Sequence, residues 1–178
     1  MRKVLAIVLV SMLLFTTAGA SSFGLDTTNL FRDALVEHRV FLVEDTEDYA
    51  AVITVFYGCD THRIFQYNYE VLFDKRVGYT VNDFLNCNPE EIFPGFNRMS
   101  CASYSVEEGL NTINVLFSFF RLNDPENFRQ MVDSGILSGA NDTDYVDLNP
   151  LFRWIESTGG RELSMLEYGQ VGLHFDLK

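Results

Sequence analysis

The sequence predicts an α+β fold: an antiparallel sheet packed against several helices, in a single domain that follows an N-terminal signal peptide. Three observations lead there. Strand-like and helix-like segments are segregated along the chain instead of alternating. Two segments alternate apolar and polar residues with period two. Three of the four prolines stand directly after Asn or Asp, the pairing that opens helices.

The chain opens with residues 1–20, MRKVLAIVLVSMLLFTTAGA. Arg2 and Lys3 form a positive start, Val4 to Phe15 an apolar run of twelve, and Ala18-Gly19-Ala20 a small-residue cleavage site. That is the three-part secretory pattern. A membrane span needs about 20 apolar residues, so the run is too short to cross a bilayer. The expectation is a mature chain from about Ser21, a single domain over 21–178, secreted and extracellular, or periplasmic if the source is a bacterium. No later stretch approaches spanning length, and no repeat, linker or low-complexity run interrupts the remaining 158 residues.

Helices are expected over about 27–38, 80–87, 125–134 and 150–157, with Gly135 and Gly159 as stops. Asn88-Pro89, Asp124-Pro125 and Asn149-Pro150 supply caps, and Glu90, Glu91 and Glu126 place negative charge in the first turn. The strongest helical pattern is SVEEGLNTINVLFSFFRL. Ser105 and Glu108 match a capping box, and Val106, Leu110, Ile113, Phe117 and Phe120 recur at spacings of three and four. This segment is expected to be the central core helix.

Strands are expected where the period changes. In Ile64 to Phe73, the residues Phe65, Tyr67, Tyr69, Val71 and Phe73 alternate with Gln66, Asn68 and Glu70. Near the end Val171, Leu173, Phe175 and Leu177 alternate with Gly172, His174 and Asp176. Ala51 to Tyr57 is a β-branched apolar run, and Val40 to Val43 a shorter one. Leu163 to Tyr168 reads as a strand turning at Gly169-Gln170.

Charge narrows function. Without the two basic residues of the leader, 11 basic side chains face 25 acidic ones, a net charge of −14. Nucleic-acid binding depends on neutralising phosphates with Lys and Arg, so it is excluded as an expectation. Anionic membrane surfaces repel such a chain too. Basic proteins, cations and neutral ligands, among them small apolar ones, remain as partners.

Three cysteines remain, Cys59, Cys87 and Cys101. In an oxidising compartment two of them are expected to pair. Cys87–Cys101 is the favoured disulfide because it would tie down a Pro- and Gly-containing loop. A loop of about 15 residues gives roughly 3 kcal/mol in the chain-entropy account. Cys59 is then left over, free or available for a covalent dimer.

The segment Phe56-Tyr57-Gly58-Cys59-Asp60-Thr61-His62 holds a thiol, a carboxylate and an imidazole at short range. Cys59 as nucleophile with His62 as base is the catalytic candidate. Its position between two strands reads more simply as a hairpin turn. No metal site is expected: His38, His62 and His174 fall on different elements, and structural zinc needs four ligands. Nor does any motif call for a cofactor.

Two acidic runs, Glu44-Asp45-Thr46-Glu47-Asp48 and Asn141-Asp142-Thr143-Asp144 with Asp147, offer calcium its oxygen ligands. Neither keeps the EF-hand register, and solvated loops are the simpler reading. Asn141 heads the one N-x-S/T sequon, a glycosylation acceptor if the source is a eukaryote.

Sixteen Phe and eight Tyr are the distinctive asset of the composition. Phe65, Tyr67 and Tyr69 concentrate it on one strand face, and these three are the candidate ligand-binding residues. The functional expectation is a secreted acidic protein that binds a protein or small apolar ligand and catalyses nothing. The alternatives are a small extracytoplasmic hydrolase using Cys59 and His62, or a structural assembly partner dimerised through the odd cysteine.

Overall fold

The computed structural model describes residues 36–137 and 148–171. The leader, the cleavage point at Ser21, most of the expected helix over 27–38, Asn141 with its acidic run, and the last strand beyond Val171 with His174 lie outside the described residues.

Six strands make one antiparallel sheet: β1 Val36–Asp45, β2 Tyr49–Gly58, β3 Ile64–Asp74, β4 Ala102–Glu108, β5 Thr112–Phe120 and β6 Arg161–Leu163, in the order β4-β5-β3-β2-β1-β6. Among the described residues there are four α-helices: α1 Val81–Leu85, α2 Pro125–Asp133, α3 Leu148–Ser157 and α4 Met165–Tyr168. The expected α+β class therefore holds, as one antiparallel sheet with few helices.

β1, β2 and β3 form a meander. The acidic run Glu44 to Asp48 is its first turn, closed by the Thr46 N–H on the Tyr49 carbonyl at 2.9 Å and by the Tyr49 N–H on Thr46 Oγ1 at 3.0 Å. Ile53 and Val55 on β2 stand opposite Tyr69 and Tyr67 on β3. These in turn face Phe117 and Phe119 on β5. One face of the sheet is thus a continuous aromatic and aliphatic layer, and it holds the main core.

Helices α2 and α3 bury Phe128, Met131, Leu151, Phe152 and Ile155 in that same core. Asp124 caps α2 by accepting the Glu126 N–H at 2.9 Å, with Pro125 in the first turn. Gly135 and Gly159 end α2 and α3 at φ of 77° and 101°, conformations a side chain would strain. The segment joining β3 to β4, residues 75–101, crosses the aromatic face carrying α1 and three short 3₁₀ turns, Lys75–Val77, Pro89–Glu91 and Phe96–Arg98.

The expected central helix over 105–122 is corrected: these residues are the β4–β5 hairpin. Gly109-Leu110-Asn111 is the turn, with the Gly109 N–H on the Thr112 carbonyl at 2.8 Å. Leu110, which the helical stripe required inside, is 90% exposed. Ile113, Val115, Phe117 and Phe119 are buried at period two instead. Thr112, Ile113 and Val115 are β-branched and the phenyl rings fit a pleated surface, and β3 offers a full-length partner.

Smaller differences have local causes. Residues 36–38 of the expected first helix are strand, paired with Phe56, Tyr57 and Gly58. The expected strand over 163–168 stops at Leu163, because Ser164 and Glu167 form a reciprocal capping box that starts α4. Pro89 opens only a 3₁₀ turn, and α3 begins at Leu148, two residues before Pro150.

Replacing the fully buried Phe117 by alanine is expected to cost about 3–5 kcal/mol in urea unfolding. Leu110→Asp, fatal to a buried helical stripe, is expected to change stability by no more than about 0.5 kcal/mol, as an exposed turn substitution does.

Candidate functional site

The hairpin between β2 and β3 carries the candidate nucleophile. The Gly58 N–H reaches the Arg63 carbonyl at 3.0 Å and the His62 N–H the Gly58 carbonyl at 2.8 Å. His62 takes a left-handed φ of 54° and its side chain is exposed. Cys59 is half-buried, and its hydrogen-bonding partner is the Glu37 carboxylate of β1. Partial burial, followed by Glu37 and Asp60, raises the thiol above the ordinary cysteine range. A thiolate nucleophile needs the opposite environment. Glu37 also accepts the Tyr57 hydroxyl at 3.1 Å. Sequence reading missed Glu37, since only the pairing of β1 with β2 sets it opposite Tyr57.

Cys87 is half-buried at the end of the α1 region and Cys101 is buried just before β4. Among the described residues no group of three or more His, Cys, Asp or Glu side chains converges as a metal site requires. No helix among them is long and apolar enough to cross a membrane.

The three aromatic candidates divide. Tyr67 is 3% exposed, its ring packed on Phe119, and burial holds its hydroxyl far above the usual tyrosine range. Tyr69 is half-buried between Phe93 and Phe117. Phe65 sits where the β2–β3 register shifts, and its carbonyl accepts the Leu122 N–H at 3.0 Å. Phe93 and Phe96, brought down by the 75–101 connector, cover Phe117 and Phe119 at centroid distances of 5.0 to 6.0 Å. Protein rings thus fill much of the space a small ligand would need beside this strand.

Hollows are open elsewhere on the surface. One of about 550 Å³ lies along α2 between Asp124 and Asp133; another of about 260 Å³ is bordered by Leu42, Arg161, Glu167 and Val171. Neither is lined by Phe65, Tyr67 or Tyr69.

The outer side of the connector has a different character. Val77, Tyr79, Leu85 and Ile92 stand exposed, Leu85 by 59%. Tyr79 continues inward through Phe73 and Phe84 at 5.1 and 5.7 Å. Between these apolar groups are carboxylates. The Thr80 hydroxyl and N–H hold Asp83 below its ordinary pKa, and the Asn97 and Gly95 N–H groups do the same for Glu90. Along this segment exposed apolar side chains thus alternate in sequence with two carboxylates whose pKa values are lowered.

On the opposite sheet face Glu70 accepts the Tyr168 hydroxyl of α4 at 3.0 Å. Burial outweighs that bond and raises the Glu70 carboxyl.

No protein-family model matches the chain, and no curated protein matches it. Two solved structures are similar to it. One is the NMR structure of the Escherichia coli YehR protein, at 10% identity and a TM-score of 0.49, covering 74% of this chain and 93% of that one. The other is the NMR structure of a protein from Streptococcus pneumoniae TIGR4, at 9% identity and a TM-score of 0.46, covering 72% and 86%.

Two pH measurements follow. Iodoacetamide should alkylate Cys59 with a midpoint above that of an ordinary cysteine, and Glu37→Gln should lower it; a midpoint below neutrality would restore the nucleophile. Glu70 has a raised folded pKa, so its contribution to stability is present in acid and is lost as pH rises through that pKa. Glu70→Gln, which keeps an acceptor for Tyr168, should therefore raise the urea midpoint at neutral pH and leave it nearly unchanged in acid.

Proposed function

We propose that this is an exported acidic protein that works by binding a basic partner protein through the outer surface of the 75–101 connector, and not by catalysis. The observation that carries the reading is the interleaving of exposed Val77, Tyr79, Leu85 and Ile92 with Asp83 and Glu90, whose carboxylates are held ionised by hydrogen bonds. Exposed apolar groups rimmed by charge are the composition of a contact surface. The net charge of the mature chain selects a partner of opposite sign and speeds the encounter.

A protein partner is favoured over a small apolar ligand because Phe93 and Phe96 occupy the space over β5 beside Tyr69. Catalysis through Cys59 has no support from its surroundings, where a carboxylate and not an imidazole meets the thiol.

Export is part of the proposal, and with it a Cys87–Cys101 bridge formed by the oxidants of that compartment. The intact protein should then begin near Ser21 and weigh two hydrogens less than its reduced form. Mature protein immobilised beside a Leu85→Asp, Ile92→Asp variant provides the binding test. A basic protein captured from the surrounding medium, released by salt and lost with the variant, is the expected result. Equal capture by both surfaces, or capture of acidic proteins, would remove the connector from the reading.

A further inference from the structure

The two edges of the sheet differ. β6 covers β1 at Val40 to Leu42, and the Arg39–Glu162 pair lies across that junction. At the opposite end β4 is paired on one side only: among the described residues no strand lies beyond it.

The direction of its backbone groups follows from two bonds. The Gly109 N–H donates to the Thr112 carbonyl, and the Phe120 N–H to the Cys101 carbonyl, both at 2.8 Å. Residues 101 and 109 are therefore in hydrogen-bonded pairs with β5. Antiparallel pairing alternates, so 103, 105 and 107 also bond inward while Tyr104, Val106 and Glu108 turn their N–H and C=O groups outward. The pairing runs without a register shift from Ala102 to Glu108.

Natural edges are defended by charged side chains, proline, a bulge, very short length or a covering helix or loop. Along its seven residues β4 has no lysine, proline or bulge. Ala102-Ser103-Tyr104-Ser105-Val106 is uncharged; Glu107 and Glu108 charge its end, where Glu108 pairs with Lys75 at 2.6 Å. The side chains beside it alternate. Tyr104 and Val106 lie on the aromatic face, half-buried, with the Tyr104 hydroxyl donating to the Phe84 carbonyl at 2.7 Å. Ser103, Ser105 and Glu107 lie on the other face, exposed.

We infer that β4 accepts an added strand from a partner, and that the strand is an extended basic segment with apolar residues at alternate positions. Its backbone bonds to Tyr104, Val106 and Glu108. Its apolar side chains continue the face of Tyr104 and Val106, and its lysines or arginines stand beside Glu107. A second copy of this chain is disfavoured as the occupant, because its charge repels. The inference rests on the binding reading above and names the chemistry of the bound segment.

The probe is an alternating Lys–Val octapeptide, with an isomer carrying its lysines and valines in separate blocks. Fluorescence anisotropy with the mature protein should show the alternating peptide binding more tightly, with affinity falling as salt rises. Hydrogen exchange read by NMR should slow at the Tyr104 and Val106 amides when the peptide is added. Val106→Pro removes an outward donor without touching the ladder to β5, and should weaken binding about tenfold. Glu107→Lys, which leaves the Lys75–Glu108 pair in place, should shift preference toward an alternating Glu–Val peptide.

Unchanged exchange at both amides, or equal affinity for the two isomers, would overturn the strand-addition inference. So would a dimer of the protein alone in sedimentation that Val106→Pro dissolves, since the occupant would then be a second copy. In each case the connector variants still report separately on partner binding; loss of both signals would remove the whole reading.

Discussion

The structure depends on one stack of rings. Tyr67 and Tyr69 on β3 meet Phe119 and Phe117 on β5 at 6.1 and 6.2 Å between centroids, and Phe93 and Phe96 close over them from the connector. The β3–β5 pairs are tilted and the connector rings meet them edge to face, geometries that fix direction as well as burying area. They determine where β5 enters the sheet, which side of it the connector crosses, and that β4 is left at the margin. Once the rings are placed, the position of α1 follows, since Phe84 packs on Phe73 at 4.5 Å and receives the Tyr104 hydroxyl on its carbonyl.

Charge is arranged around this stack with little wasted. Arg39 lies 4.3 Å from the centre of the Phe152 ring and 5.6 Å from that of Phe41, while its guanidinium pairs with Glu162. That sandwich fastens α3 to β1 and satisfies a half-buried cation. Asp74, buried at the end of β3, accepts from Arg76 and caps the first 3₁₀ turn. Many of the remaining acids stand in turns and helix caps, so the large negative charge costs the core little and is left for solvent and partners.

The sequence made β2, β3, α2 and α3 legible because each announces itself locally, β3 by a period of two, β2 by a β-branched apolar run, and the helices by a cap or a stop. β5 was illegible for a definite reason. Val106, Ile113 and Phe117 share a face in the hairpin as they would on a helix, because the turn at Gly109 resets the alternation. The exposure of Leu110 is what separates the two patterns, and exposure is a tertiary property. The Glu37–Cys59 contact and the covering of Phe117 by Phe93 join residues 22 and 24 positions apart, so no local window contains them. Residues 88–100 read from sequence as a Pro- and Gly-containing loop and 80–87 as a helix; that Phe93 and Phe96 turn inward while Ile92 stays exposed becomes visible only in the packed sheet.

The connector also has a kinetic meaning. β1, β2 and β3 pair with neighbours across short turns, whereas β3 meets β5 only after the chain returns from Asp74 to Thr112, and Gln66 finally faces Phe120. The entropy of closing such an excursion must be met before any ring contact rewards it. The β3–β5 pairing is therefore the costliest closure in the sheet, and the aromatic face is complete only once the β4–β5 hairpin has docked on it.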